Sequence, residues 1–121
     1  MNTALLTAAV LAVLLAGAHS YLGERYILIR LFRKDALPQL FGGTAFTRST
    51  LRFAWHLTSV AWVGFAGLLV TLWAPGGFRE ADVIMFAFAA SGLLALVGSK
   101  GRHLSWVAFF IISALVWYGS K

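Results

Sequence analysis

The sequence predicts an all-α membrane protein, a bundle of four transmembrane helices with a basic amphipathic or interfacial segment between helices 1 and 2. Hydrophobic residues make up 60% of the 121 residues and charged residues 12%, whereas soluble domains are nearer half apolar and a quarter charged. A chain this short cannot bury that much apolar surface in one core. The apolar residues also form four continuous runs, unlike the alternating pattern of a β-barrel strand.

Each apolar run is a predicted span, because a bilayer core of about 30 Å needs about 20 apolar residues in a helix. The predicted spans are residues 4–22, 53–73, 80–99 and 103–119. Together they form a single integral membrane domain over residues 1–121, in which the two shorter spans need flanking basic side chains that extend to the lipid head groups. Residues 1–18 resemble a signal peptide, but no Lys or Arg precedes Arg25, so we expect a retained first span.

The connections comprise one long segment and two tight turns. Residues 23–52 join helices 1 and 2, and their first part mixes apolar and basic side chains. This pattern predicts a basic helix that either lies in the interface or continues helix 1 into the cytoplasm. Residues 74–77 (Ala-Pro-Gly-Gly) end helix 2. Residues 99–102 leave only a tight turn, so helices 3 and 4 are predicted to be antiparallel neighbours.

The basic residues predict the orientation. Six of the ten Lys and Arg lie in residues 23–52 and two in the turn 99–103, whereas Arg79 and Lys121 lie on the opposite side. This bias predicts a multi-pass protein of the cell inner membrane with both termini on the non-cytoplasmic side. Topology and anionic lipid account for the net charge of +6, and no nucleic-acid partner is expected.

Small residues recur every four positions in helices 1 and 3. The predicted packing residues are Ala8, Ala12, Ala16 and Ser20 in helix 1 and Ala87, Ser91 and Ala95 in helix 3. Close approach through small residues is a main source of helix association in lipid. The two helices could cross in parallel, and packing within one chain is favoured over a seam between two copies. A bundle this small leaves much of its lateral surface exposed to lipid, which predicts a homo-oligomer or a larger membrane complex.

Histidines and charged residues gather at one predicted depth, the cytoplasmic boundary. The candidate ligand-binding residues are His19, His56, His103, Glu24, Arg25 and Arg52. Ionisable groups at membrane depth are costly and usually face the bundle interior, which makes this cluster the candidate site. Arg52, His56 and Ser59 also share one helical face through their spacing. The ordinary alternative is that each histidine is an interfacial residue with a local hydrogen-bond partner.

The residue types limit the chemistry of this cluster. The chain has no cysteine, so the metal hypothesis uses the three histidines as ligands, with carboxylate support. His19 and His56 are the only pair suited to haem. The histidines could instead relay protons beside Glu24, or Arg25 and Arg52 could hold an anionic group.

The predicted function is therefore a small polytopic membrane protein whose His/Glu/Arg cluster binds a metal, haem or an anionic group, or relays protons. No catalytic motif is present, so the sequence leaves open whether the chain is an enzyme. Two alternatives also stay open. One is a non-catalytic accessory subunit of a larger membrane complex, and the other is a small oligomeric channel or transporter.

Overall fold

The computed structural model describes residues 2–121, and four helices contain most of them. They are α1 (Thr3–Leu31), α2 (Ala45–Trp73), α3 (Glu80–Ser99) and α4 (Ser105–Gly119). The helical part of the predicted fold class is confirmed. α1, α2 and α3 are long and apolar enough to cross a membrane, while α4 is a shorter apolar helix of 15 residues. At 1.5 Å per residue, α4 spans only about 22 Å.

The boundaries of α1 and α2 differ from the predicted spans. α1 continues through the basic segment to Leu31, and residues Gly23–Leu28 within it form a π-helical turn. α2 begins at Ala45 instead of residue 53. Each helix has 29 residues and is about 44 Å long, which exceeds the 30 Å bilayer core. The basic segment therefore takes the second of its two predicted forms, a continuation of helix 1.

The helices pack in chain order. α1 packs on α2, α2 on α3 and α3 on α4, and among residues 2–121 α1 and α3 do not contact each other. The expected crossing of the two small-residue stripes is thus absent within this part of the chain, because each stripe lies beside α2. Ala16 and Ala95 are buried, and the other five predicted packing residues are half-buried.

Glycines bring α2, α3 and α4 into close contact. A Cβ atom added to Gly67 would lie 2.8 Å from Cγ1 of Val83, and one added to Gly92 would lie 2.9 Å from Cε1 of Phe110. Neither distance leaves room for a side chain, so these glycines permit the helix backbones to approach.

The ends of the helices are also defined by contacts. Arg79, between α2 and α3, donates two hydrogen bonds to Asp82 and one of 2.9 Å to the carbonyl oxygen of Ser120. The hydrogen bond with Asp82 raises the pKa of Arg79 above its usual value. The start of α3 and the end of α4 therefore meet at one end of the bundle, and the basic connections lie at the other.

We predict that Ser113→Ala weakens the contact between α3 and α4 by about 1 kcal/mol. The Ser113 hydroxyl is buried and donates a 2.9 Å hydrogen bond to the carbonyl oxygen of Met85, across the two helices. Reversible unfolding in mixed micelles measures this loss. Ser91→Ala is the matched control, because the Ser91 hydroxyl bonds within its own helix, to Ala87. Equal losses in the two variants would contradict the prediction.

Candidate functional site

A chain of polar side chains crosses the interface between α1 and α2, and it begins with three charged or titratable groups. Nη2 of Arg52 donates to Oε1 of Glu24 at 2.8 Å. The other carboxylate oxygen of Glu24, Oε2, lies 3.1 Å from Nε2 of His56. One carboxylate on α1 therefore bridges two side chains of α2, which lie one helical turn apart.

Two serines continue this chain toward the middle of α1. Nδ1 of His56 lies 2.8 Å from the hydroxyl of Ser20, and that hydroxyl lies 2.6 Å from the hydroxyl of Ser59. Ser59 donates to the carbonyl oxygen of Ala16 at 3.0 Å. We call Arg52, Glu24, His56, Ser20 and Ser59 the polar chain.

The polar chain runs from an exposed end to a buried end. The side chain of Arg52 is 47% exposed and that of Glu24 is 32% exposed. The side chain of His56 is 25% exposed, and Ser59 is buried. A buried polar group needs a hydrogen-bond partner. In the polar chain, each side chain finds that partner on the facing helix. The hydrogen bonds therefore also fix how α1 and α2 are rotated relative to each other.

Gly23 and Trp55 hold the two helices together beside the polar chain. Nε1 of Trp55 donates to the carbonyl oxygen of His19 at 3.0 Å. A Cβ atom on Gly23 would lie 1.9 Å from that Nε1 atom, so only glycine lets the indole reach the backbone of α1. Gly23 is also the first residue of the π-helical turn, and such turns occur frequently at functional sites.

His19 lies apart from His56. Its ring stacks on Trp55 with the centroids 4.6 Å apart, and it makes a T-shaped contact with Trp62 with the centroids 4.9 Å apart. Its Nε2 atom has no hydrogen-bond partner among the described residues. Successive residues of a helix differ in direction by about 100°, so when Ser20 faces His56, the neighbouring His19 does not. The predicted His19–His56 pair is therefore not formed.

His103 also has local partners. Its Nδ1 atom lies 2.8 Å from the hydroxyl of Ser105, and its ring packs against Phe46 and Phe53. Within residues 2–121, no three His, Asp or Glu side chains are grouped as a metal site requires. The hypothetical site of three histidine ligands is thus not assembled. Arg25 is exposed and lies 5.9 Å from the ring of Tyr26.

Three of the six candidate residues therefore come together, namely Glu24, Arg52 and His56. Ser20 is a predicted packing residue that also lies within two turns of the predicted cluster, and the structure shows that it links His56 to Ser59. Ser59 could have been added from its spacing, since it shares a helical face with Arg52 and His56.

An apolar groove of about 800 Å³ lies along α2, between α1 and α3. Ser20, His56 and Ser59 line one end of it. The middle is lined by apolar side chains and by Gly17, and Asp82 lies toward the other end. The buried half of the polar chain therefore opens into the groove.

Comparison with known proteins finds no match for this chain, whether among protein families, curated proteins or solved structures. The polar chain and the groove together combine an apolar surface with a few hydrogen-bonding groups at one end.

Proposed function

We propose that this chain is a multi-pass membrane protein that binds a small amphipathic molecule in the groove between α1 and α3. The proposal includes all four helices as spans, since flanking residues can extend the short α4 to the head groups. It also places the basic end in the cytoplasm, as expected from the Lys and Arg bias. The observation that carries the proposal is the groove of about 800 Å³ with Ser20, His56 and Ser59 at one end.

The size and lining of the groove fit a ligand site. Such sites have volumes of about 300–1,000 Å³, with mostly apolar walls and a few polar groups that orient the ligand. Here Val60, Val63 and Phe86 are among the residues that would contact the apolar body. The hydroxyls and the imidazole would bond the head group. An ionisable cluster at membrane depth is itself a functional candidate.

The charges beside the groove favour a neutral or anionic head group. Glu24 is paired with the guanidinium of Arg52 and with the ring of His56. The three groups together are neutral when His56 is neutral and carry one positive charge when it is protonated. A cationic head group would gain no attraction from this set. This proposal retains the predicted small-ligand function, without the metal that three histidines would have held.

Gly17→Leu tests the proposal by filling the groove. Gly17 lines the groove, and a Cβ atom added to it meets no other atom within 4 Å, so helix packing is preserved. The probe is a photoreactive long-chain alcohol, added to the purified protein and mapped by peptide mass spectrometry. We expect labelling around Val60 and Val63 in the unmodified protein, and at least about tenfold less in Gly17→Leu.

Gly119→Leu is the matched control, because Gly119 also has open space around it but lies at the end of α4, outside the groove. Its labelling should equal that of the unmodified protein. Equal labelling of Gly17→Leu would overturn the proposal. So would purification of the chain with a partner protein that excludes the alcohol from the groove, a result that favours the accessory-subunit alternative.

A further inference from the structure

The hydrogen bonds of the polar chain have a direction, which is set at its buried end. The carbonyl oxygen of Ala16 can only accept, so Ser59 uses its one hydrogen to donate to it. The hydroxyl oxygen of Ser59 must then accept from Ser20. With its own hydrogen used, Ser20 accepts in turn from His56, whose Nδ1 atom therefore carries a hydrogen.

Because Nδ1 carries a hydrogen, the contact between Nε2 of His56 and the carboxyl group of Glu24 needs a second hydrogen between them. If the ring carried a hydrogen only on Nδ1, the bare Nε2 atom would face Oε2 of an ionised carboxylate at 3.1 Å. Two acceptors at that distance repel each other and form no hydrogen bond. The observed contacts are satisfied only when the pair holds one more proton, on Nε2 or on the carboxyl group.

We propose that the polar chain is a hydrogen-bond relay with two states, in which each serine keeps its own hydrogen and only the direction of its hydrogen bond changes. In the proton-bound state, the donors run from His56 through Ser20 and Ser59 to the carbonyl oxygen of Ala16. When the pair loses one proton, the hydrogen given up is the one on Nδ1, and the hydrogen shared between Nε2 and Glu24 lies on Nε2 and is donated to the carboxylate. Nδ1 then accepts from Ser20, Ser20 accepts from Ser59, and the carbonyl oxygen of Ala16 loses its side-chain donor. The states differ by one proton and by no electrons.

Few other groups compete for this proton. Glu24 on α1 and Arg52 on α2 contact the His56–Glu24 pair directly. On α3, the side chains that line the groove near this level are apolar, and Asp82 lies toward the far end. His19 lies against Trp55 and Trp62. The hydrogen that leaves Nδ1 does so on the side of the groove, which His56 and Ser20 line.

The relay couples the protonation state of the His56–Glu24 pair to the hydrogen-bonding pattern of the groove. Ser20 and Ser59 line the groove, and the direction of their hydrogens changes with the proton. A head group beside them would therefore meet a different donor and acceptor pattern in each state. The relay itself requires no ligand, so its test is independent of the proposed function.

The carbonyl group of Ala16 is the readout. Labelling with carbon-13 at the alanine carbonyl and nitrogen-15 in glycine selects only Ala16 and Ala66, the two alanines that precede a glycine. Nuclear magnetic resonance of the full chain in lipid nanodiscs then follows both carbonyls across a pH titration. We expect the Ala16 signal to move with the ring signals of His56, with Ala66 unchanged as the internal control.

Two variants separate the relay from simple titration. In Ser20→Ala, the ring of His56 should still titrate, while the Ala16 signal no longer follows it. In Glu24→Gln, the amide can donate to a bare Nε2 atom or accept from a protonated one, so nothing forces the hydrogen off Nδ1 and the Ala16 signal should no longer follow pH. An Ala16 signal that ignores pH in the unmodified chain would overturn the proposal. So would one that moves equally in Ser20→Ala.

Discussion

Gly23→Ala is expected to destabilise the protein by about 3 kcal/mol, the largest effect of any conservative change near the site. The added Cβ atom would lie 1.9 Å from Nε1 of Trp55 and 2.3 Å from its Cε2 atom. The indole must then move, which strains the packing and breaks its hydrogen bond to the carbonyl oxygen of His19. Overpacking costs about 1–3 kcal/mol, and the lost hydrogen bond adds about 1 kcal/mol.

The free energy of unfolding in mixed micelles provides the measurement, and a double-mutant cycle identifies the cause. In a Trp55→Ala background the clashing ring is absent, so Gly23→Ala should cost little. Gly17→Ala is the matched control on the same helix, because a Cβ atom there meets nothing within 4 Å. Alanine also favours the helix, so this control should be neutral or stabilising. An equal cost for Gly23→Ala in both backgrounds would show that the clash is not the cause.

The parts of the fold that hydropathy determines were predictable, and the helix ends were not. Long apolar runs place the helices because a spanning segment must satisfy its backbone internally. The predicted first span ends at Leu22 because Glu24 and Arg25 interrupt the apolar run, and the sequence leaves open whether helix 1 continues beyond it. The structure continues the helix to Leu31, since polar side chains at helix ends do not prevent helical backbone bonds. The π-helical turn has no sequence signal other than a glycine within the helix.

The sequence predicts the depth of the candidate site residues along the helices, but not the direction in which each side chain points. Sequence position gives the depth of a residue along a helix, and His19, His56 and Glu24 share a level. Which of them meet depends on how each helix is turned about its axis. Trp55 docks on Gly23 and directs Ser20 and Glu24 toward His56, which leaves His19 against the indole. The groove was not predictable either, because it exists only where α1 and α3 both pack on α2 without contacting each other.

Glu24→Ala is expected to destabilise the packing of α1 on α2 by about 2 kcal/mol. The change removes an ion pair with Arg52 and a hydrogen bond with His56 at once. Charge-assisted hydrogen bonds contribute about 1.5–3 kcal/mol each, but exposed pairs contribute less than 1 kcal/mol. Because Glu24, Arg52 and His56 are all partly exposed, the summed contribution of the two contacts should lie between the values for exposed pairs and those for buried charge-assisted bonds. Asp35→Ala is the control, because Asp35 is exposed in the connection between α1 and α2 and should change stability by less than about 0.5 kcal/mol.

Comparing the free energies of unfolding of Glu24→Ala and Arg52→Ala shows whether Glu24 stabilises the protein through Arg52 alone or through both Arg52 and His56. Removing Arg52 breaks the ion pair and the contact of its guanidinium with the Phe32 ring, 4.9 Å from the ring centroid, and leaves the contact between Glu24 and His56. A cation–π contact at a partly exposed site contributes about 0.5–1 kcal/mol, less than a charge-assisted hydrogen bond, so Arg52→Ala should cost less than Glu24→Ala. The double variant should exceed Glu24→Ala only by the contact of Arg52 with the Phe32 ring, because the guanidinium has no carboxylate left to lose. If Arg52→Ala cost as much as Glu24→Ala in a Phe32→Leu background, where Arg52 has no aromatic ring to lose, the contact between Glu24 and His56 would contribute nothing. The link between the exposed and buried halves of the polar chain would then be absent, since that link consists of the contact between Oε2 and Nε2.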